Sequence, residues 1–332
     1  MPTQNQVLVV KHRGLNVERR AFATGAGNDP NTNFIFDVVR GMNVGYHFLN
    51  LRGSLVISVG AANGTSLGPN PGNLLQRVQV ECNPGGFVKS LLPRSIISRS
   101  VFDRGWLRAD TALTGAAGTF TLLQPYWLRY ALPRAPVPYE TALQTDRFKS
   151  VQIRALGGGR TTQFTGNDRT WDFTGVTLDL SEQREQMGGD TALLYEEDIV
   201  ITIPAANPAQ LFTGFSTGSR YHDILFVAET TNQALADTII NRITVQSGAL
   251  QFFDGLEDEI KVNQQDWFSD AAVAALGLYF APMNPDLLLR GAVDTIPTNQ
   301  LSARLDVAAP GAGADRIIAA TRRVLLPEDI GS

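Results

Sequence analysis

Apolar and polar residues alternate with a period of two along much of this chain. The clearest case lies in Gly277–Ala309 (GLYFAPMNPDLLLRGAVDTIPTNQLSARLDVAA), where Leu301, Ala303, Leu305 and Val307 share one face and Ser302, Arg304 and Asp306 the other. That is the signature of a half-buried strand. A looser version stands at Tyr126–Ala155: an aromatic strand meets a Pro turn, and Val151, Ile153 and Ala155 then alternate with Gln152 and Arg154. Upstream of each lies another matched pair, Leu74–Cys82 (LLQRVQVEC) and Ile239–Ser247 (IINRITVQS). In both, two aliphatics, an amide residue and an Arg precede an alternating strand. One β module is written twice.

Taken in order, Thr24–Asn33 is a turn cluster, and strands are predicted at Phe34–Val39, Val44–Leu51 and Ser54–Gly60. Ala61–Gly72 and Ala109–Gly118, rich in small and turn-forming residues, read as exposed loops. Arg77–Cys82 ends in the hairpin-type turn Asn83-Pro84-Gly85-Gly86, and Phe87–Phe102 predicts two short strands around Pro93. The glycines of Leu156–Thr162 (LGGGRTT) mark a hinge between halves. The second half has strands at Val176–Leu180, Ile199–Ile203 and Asp223–Glu229, and a helical turn at Leu235–Ile240. One short helix is predicted: Ser269 as N-cap, Asp270 on the N-terminal dipole, Ala271–Leu276, then Gly277 as the stop. The first half shows no counterpart of it. Arg316–Leu326 is a last strand whose Ile317-Ile318-Ala319-Ala320 could equally start a helix.

The sum is about fourteen to eighteen short strands with one or two short helices, the pattern of an all-β sandwich or jelly roll. The internal copy, offset by about half the chain, makes two such units in tandem. The expected division is an N-terminal arm and lead-in loop at 1–33, a first jelly roll at 34–160, and a second at 161–332 with a C-terminal tail.

Composition sharpens this. Charged residues are 18% of the 332, against about 25% in an ordinary domain, and only Lys11, Lys89, Lys149 and Lys261 are lysines among 28 basic residues. Sparse charge with Arg over Lys is the composition of a surface that meets other protein; Arg-favouring codons would also produce the second feature. The net charge of -4 advertises neither nucleic acid nor a solvating tail, and no sequence-specific nucleic-acid binding is expected. Within 1–20, Lys11, Arg13, Arg19 and Arg20 stand against Glu18. They read either as an ordinary first strand or as an arm facing an anionic membrane surface or packaged nucleic acid. Met1–Val10 lacks the basic start and apolar run of an export signal, and no stretch of roughly 18 apolar residues occurs. Synthesis in the cytoplasm is the expectation.

Candidate chemistry is thin. Cys82 is the single cysteine, at an inward strand position where a thiol acts as a small apolar residue. His12, His47 and His222 are far apart in sequence, and His47 reads as packing in an aromatic strand. Glu196-Glu197-Asp198 and Glu257-Asp258-Glu259 read as solvated carboxylates on turns, and the second lacks the ligand alternation of a calcium loop. Trp106, Trp127, Trp171 and Trp267 could form a sugar platform but read as sandwich core. No nucleophile-elbow, zinc-protease, P-loop or dinucleotide motif is present. No enzyme activity, cofactor or metal is expected.

The tandem modules, the helix running into GLYFAPM, the segment AVDTIPTNQLSARLDVAAP and the first copy's PVPYETALQTDRFKSVQIRA together resemble the double jelly-roll major capsid proteins of tailless icosahedral viruses with an internal membrane, bacteriophages among them. The resemblance spans about Phe34 to Leu326. It implies two eight-stranded jelly rolls side by side, a homotrimer of pseudo-hexagonal outline tiling the virion shell, and contacts with neighbouring capsomers and with minor capsid and vertex proteins. It further implies outward loops, for which Ala61–Gly72 and Ala109–Gly118 are suited, and an N-terminal arm approaching the membrane. The alternative from the residues alone is a soluble two-domain β-sandwich binding protein, a lectin or receptor-binding spike.

Overall fold

A computed structural model describes residues 10–13, 18–21, 33–41, 43–58, 67–68, 72–104, 113, 117–132, 138–158, 160–164, 170–186, 191–268, 276–283, 292–295, 300–311 and 313–327. The first half comprises β1 (Val10–Arg13), β2 (Glu18–Ala21), β3 (Asn33–Asp37), β4 (Asn43–Ser58), β5 (Leu75–Asn83), β6 (Gly86–Leu91), α1 (Pro93–Arg104), β7 (Gly118–Arg129), β8 (Leu143–Gln144), β9 (Ser150–Gly157), the single turn α2 (Arg160–Gln163) and β10 (Thr170–Gln186). The second comprises β11 (Leu193–Ile203), β12 (Asn207–Phe212), β13 (Arg220–Glu229), β14 (Ile240–Ser247), β15 (Leu250–Leu256), α3 (Glu257–Phe268), β16 (Leu278–Pro282), β17 (Val293–Asp294), β18 (Leu301–Val307) and β19 (Asp315–Leu325).

The pairing repeats element for element. In the first half β1 and β2 both pair β10, followed by β4 and β7, opposite a sheet ordered β3-β9-β5-β6. In the second, β11-β19-β13-β16 lies opposite β12-β18-β14-β15. With β1 and β2 counted as one interrupted strand, each half is an eight-stranded jelly roll. The duplicated windows land on equivalent strands: Leu74–Cys82 on β5 and Ile239–Ser247 on β14. A short parallel bridge, Glu196↔Lys89 and Glu197↔Ser90, joins β11 to β6, so one sheet runs across both barrels. Their cores remain separate. One is built on Phe34, Leu49, Val80, Tyr126, Ile153 and Trp171, the other on Phe212, Ile224, Phe226, Ile243, Tyr279 and Leu305.

Four expectations are corrected. The division does not fall at 160/161: β10 fills the centre of the first barrel's sheet between β1–β2 and β4, and its Trp171, Phe173, Val176, Leu178 and Leu180 belong to the first core. The change of barrel comes between Gln186 and Leu193. Gly158 is no hinge either; a Cβ there would meet Asn73 O and Thr162 Oγ1 at 2.5 Å, and its N–H donates to Leu74 O at 2.7 Å. Likewise 1–33 is not wholly an arm, since β1 and β2 are strands of the first barrel. Finally, Phe87–Phe102 holds one strand and then helix α1, the counterpart of α3 that seemed to be missing. The helix expected from Ser269 lies, at 269–275, outside the described residues, and helix is found just before it. Gly277 adopts φ +67° in the turn that leads into β16.

One feature of the long central strands depends on glycine. Gly53 has φ +125°, and a Cβ there would stand 1.8 Å from Gly175 O across the β4–β10 bulge. Only hydrogen fits.

Candidate assembly interface

Helix α1 joins the barrels. Pro93 occupies its first position, where no N–H is needed. Ile96 and Ile97 enter the first core. On another side Val101 and Phe102 press on the outer face of the second barrel's sheet, against Leu225 and Val227 of β13, Leu278 and Phe280 of β16, and Ile318 and Ala320 of β19. Phe102, Phe268 and Phe280 form a ring trio with centroids 5.1–5.2 Å apart. Residues 95–102 are all buried. A helix enclosed all round has no polar stripe, which hides it from periodicity.

The same contact buries a network of charges contributed by both barrels. Glu196 on β11 is the hub. Its carboxylate pairs with Lys89 Nζ of β6, receives Arg322 Nε at 2.8 Å, and stands 3.8 Å from Arg99 Nε of α1. Arg99 Nη1 donates to Asp223 Oδ1 at 2.7 Å, and Nη2 to Ala320 O at 2.5 Å. Arg322 makes a two-pronged pair with Asp103 of α1 at 3.2 and 3.1 Å. Burial alone would raise the Glu196 carboxyl, but Lys89, Arg322 and Arg99 outweigh it and hold it at about 2. Burial pulls Lys89 down, opposed by Glu196. Asp223 is likewise held well below the usual range by Arg99 and Arg322 against burial.

A second node lies nearer the start of α1. Arg94 Nε donates to Glu229 Oε1 at 2.6 Å, and Arg316 pairs with the other oxygen. Arg94 Nη2 also donates to Gln233 O at 2.8 Å, while Asn73 Nδ2 donates to Gln233 Oε1 at 2.8 Å. Gln233 is held at φ +58°, a conformation that costs a non-glycine residue on the order of 1 kcal/mol and that these contacts offset. Between the nodes, Asp198 Oδ2 accepts the Leu92 N–H at 2.5 Å; burial dominates there and pushes this carboxyl up to about 7. Broken pairs of this kind are costly, so the network locks one orientation of the two barrels.

Sequence reasoning missed Lys89, Arg94, Arg99, Asp223, Glu229 and Arg322. The available signals were charges inside apolar strands (Arg322-Arg323, Asp223, Glu229) and Pro93 as a helix opener. The Glu196-Glu197-Asp198 run, expected on a turn, lies within β11, and Glu257-Asp258-Glu259 forms the first turn of α3, where acids suit the helix dipole. Lys11 and Arg13 stand on β1 opposite Glu185 and Gln183, and Arg19 and Arg20 on β2 opposite Asp179 and Leu178.

The histidines do not converge. His12 is on β1. His47 is enclosed in the first barrel, with Nδ1 2.8 Å from Tyr130 Oη and Nε2 3.3 Å from Glu182. His222 Nδ1 lies 2.7 Å from Asp223 in the second barrel. Cys82 is buried in the first core, its thiol pushed up to about 12 by burial. Trp171 is core, whereas Trp127 sits on the outer face of its sheet against Tyr46 and Phe48, at centroid distances of 5.0 and 4.5 Å. Trp106 and the Trp267 side chain lie outside the described residues, as do most of 61–72 and 109–117. Among the described residues no group of three or more His, Cys, Asp or Glu is placed to hold a metal, and no helix is long and apolar enough to cross a membrane.

No family model and no curated protein matches the sequence. Solved structures do match the fold. The chain is similar to the STIV MCP (TM-score 0.70, 13% identity, 96% of this chain and 97% of that one). It is similar also to the chain in the atomic structure of Sulfolobus Turreted Icosahedral Virus (0.69, 13%, 96% and 91%) and to the major capsid protein P2 of bacteriophage PM2 (0.63, 10%, 96% and 99%). The protein thus has the double jelly-roll fold over nearly its whole length.

Proposed function

We propose that this protein is the major capsid protein of an icosahedral virus, a structural component of the virion shell with no catalytic role. The observation that carries the reading is the locked pair of barrels: two jelly rolls held in one orientation by a buried helix and its ions, in a fold shared end to end with viral coat proteins. Such a body transmits load and presents fixed faces to its neighbours. Three copies form a capsomer of pseudo-hexagonal outline. Capsomers tile because heterologous contacts close when their rotations close, and several weak contacts act together. Low surface charge suits side faces that meet other protein. The loops at 61–72 and 109–118 face outward, and the basic residues Lys11, Arg13, Arg19 and Arg20 meet an anionic surface.

Light scattering on purified protein tests this. A chain of 36.0 kDa should give a trimer of about 108 kDa, and particles under assembly conditions. A species that stays at 36.0 kDa at every salt concentration and is retained on a sugar column would overturn the proposal in favour of a soluble binding protein.

A further inference from the structure

The register makes the two barrels comparable position by position. Thr244 stands opposite Arg304 across β14–β18 as Gln79 stands opposite Arg154 across β5–β9, and Gln246 opposite Ser302 as Glu81 opposite Gln152. Arg304 is therefore the counterpart of Arg154, and Gln246 of Glu81. The alternation sends all four outward, because Val80, Ile153 and Ala155 fill the first core and Val245, Ala303 and Leu305 the second. On the first barrel's outer face the charges are closed by pairing. Arg154 Nη2 donates to Glu81 Oε2 at 2.6 Å, and Arg77 Nη1 to Ser90 Oγ at 2.9 Å. On the second an amide stands in the acid's place. Arg304 is exposed and has no hydrogen bond or ion pair among the described residues.

An exposed arginine alone would be an ordinary solvated charge. This one lines a hollow of about 350 Å³ on the outer face of β12-β18-β14-β15, together with Arg242, Thr244, Gln246, Gln251 and Asp306. Part of the wall is fixed in place. Arg242 grips Asp254 with two prongs, Nε donating to Oδ1 at 2.9 Å, and Thr244 Oγ1 donates to the same oxygen at 2.7 Å. Arg242 first, then Thr244 and Gln251, hold the Asp254 carboxyl below its usual range against partial burial. Arg242 is thereby engaged. Of the two arginines lining the hollow, Arg304 is the one left open to a ligand.

The chemistry of the lining selects the ligand. A free guanidinium takes a carboxylate through two parallel N–H···O bonds. Asp254 and Asp306 border the same space and repel further negative charge, which disfavours nucleic acid and acidic peptides. Gln246, Gln251 and Asp306 add amide donors with amide and carboxylate acceptors, the set that hydroxyl groups satisfy. We infer that this hollow binds a saccharide unit bearing a single carboxylate, such as a uronic acid, with Arg304 on the carboxylate and Gln246, Gln251 and Asp306 on the hydroxyls. No aromatic ring lines the hollow, so hydrogen bonds carry the affinity and a single site is weak, in the millimolar range. The inference goes beyond the capsid reading and does not rest on it.

The test is ligand-observed NMR titration of the full chain with methyl β-glucuronide. Methyl β-glucoside, which lacks the charge, and acetate, which lacks the hydroxyls, serve as comparisons. The glucuronide should bind saturably, and each comparison about tenfold or more weakly, since each forfeits one class of contact. Arg304→Gln should weaken the glucuronide by about the same factor. So should Gln246→Glu, which supplies Arg304 with the partner that Arg154 has in the first barrel. Neither variant should lower the melting midpoint, and Arg154→Gln should bind as wild type does. Acetate binding as tightly as the glucuronide would mean an adventitious ion only and overturns the inference. So does a wild type without saturable binding, or either second-barrel variant binding undiminished. If Arg304→Gln changes the oligomer size and no glucuronide binds, the face is a contact between copies and the inference is overturned. The capsid reading is decided separately, by the mass of the wild-type protein in solution.

Discussion

Replacing Glu196 by Gln removes one charge and almost no volume from the centre of the inter-barrel contact. The carboxylate is enclosed and serves Lys89, Arg322 and Arg99. Arg322 keeps Asp103, and Arg99 keeps Asp223; Lys89, with no exposed surface, keeps nothing of comparable strength among its named partners. Either orientation of the new amide also turns its NH2 towards a cation that can only donate. Two routes give the magnitude. A buried pair broken from one side costs about 3–5 kcal/mol. Holding the carboxyl at about 2 instead of 4.5 corresponds to about 3 kcal/mol. The assay is urea unfolding followed by tryptophan fluorescence, with Glu81→Gln as control. Glu81 pairs with Arg154 at 2.6 Å with both side chains about one-third exposed, so its loss should cost under about 1 kcal/mol. The sign with pH is defined. A carboxyl depressed in the folded state stabilises above its unfolded value, and that contribution is lost as pH falls from about 4.5 towards 2. Wild type and Glu196→Gln should therefore converge near pH 2. A loss no larger than the control, or a gap that persists undiminished at pH 2, would refute the reasoning.

Phe102→Ala removes one ring of the Phe102–Phe268–Phe280 trio and should cost about 3–5 kcal/mol, measured by the same unfolding curves. Gly53→Ala places a methyl 1.8 Å from Gly175 O; soluble expression should collapse, whereas Gly41→Ala, with nothing within 4 Å of its Cβ, should be tolerated despite its backbone strain. Asp198→Asn should stabilise by up to about 4 kcal/mol at pH 8 and make no difference at pH 3: a carboxyl raised from 3.8 to about 7 contributes its stability below the unfolded value and loses it as pH rises through 7. Cys82 should resist maleimide at pH 8 in the native protein and react fully in urea, as mass spectrometry will show, because its thiol is enclosed and pushed up to about 12.

What the sequence determined by itself is whatever local chemistry writes at short range. Period-two alternation located β9, β14 and β18, because a strand's inward and outward residues face different media every second position. The duplication was legible because the equivalent strands β5 and β14, and the β16–β18 stretch against β7–β9, sit in equivalent surroundings and keep similar side chains. The resemblance to double jelly-roll coat proteins followed from the same phrases. Tertiary structure alone decided where one barrel ends, since β10 fills a gap between β1–β2 and β4, strands that lie more than a hundred residues earlier, past a glycine run that looked like a boundary. It alone revealed α1: Ile96, Phe102 and Arg99 each find a different buried partner, and a helix with three buried faces leaves no stripe. The ion network was invisible for the same reason. Glu196 looks solvated until β6, α1 and β19 bring Lys89, Arg99 and Arg322 around it, and no local pattern encodes a meeting of residues that far apart.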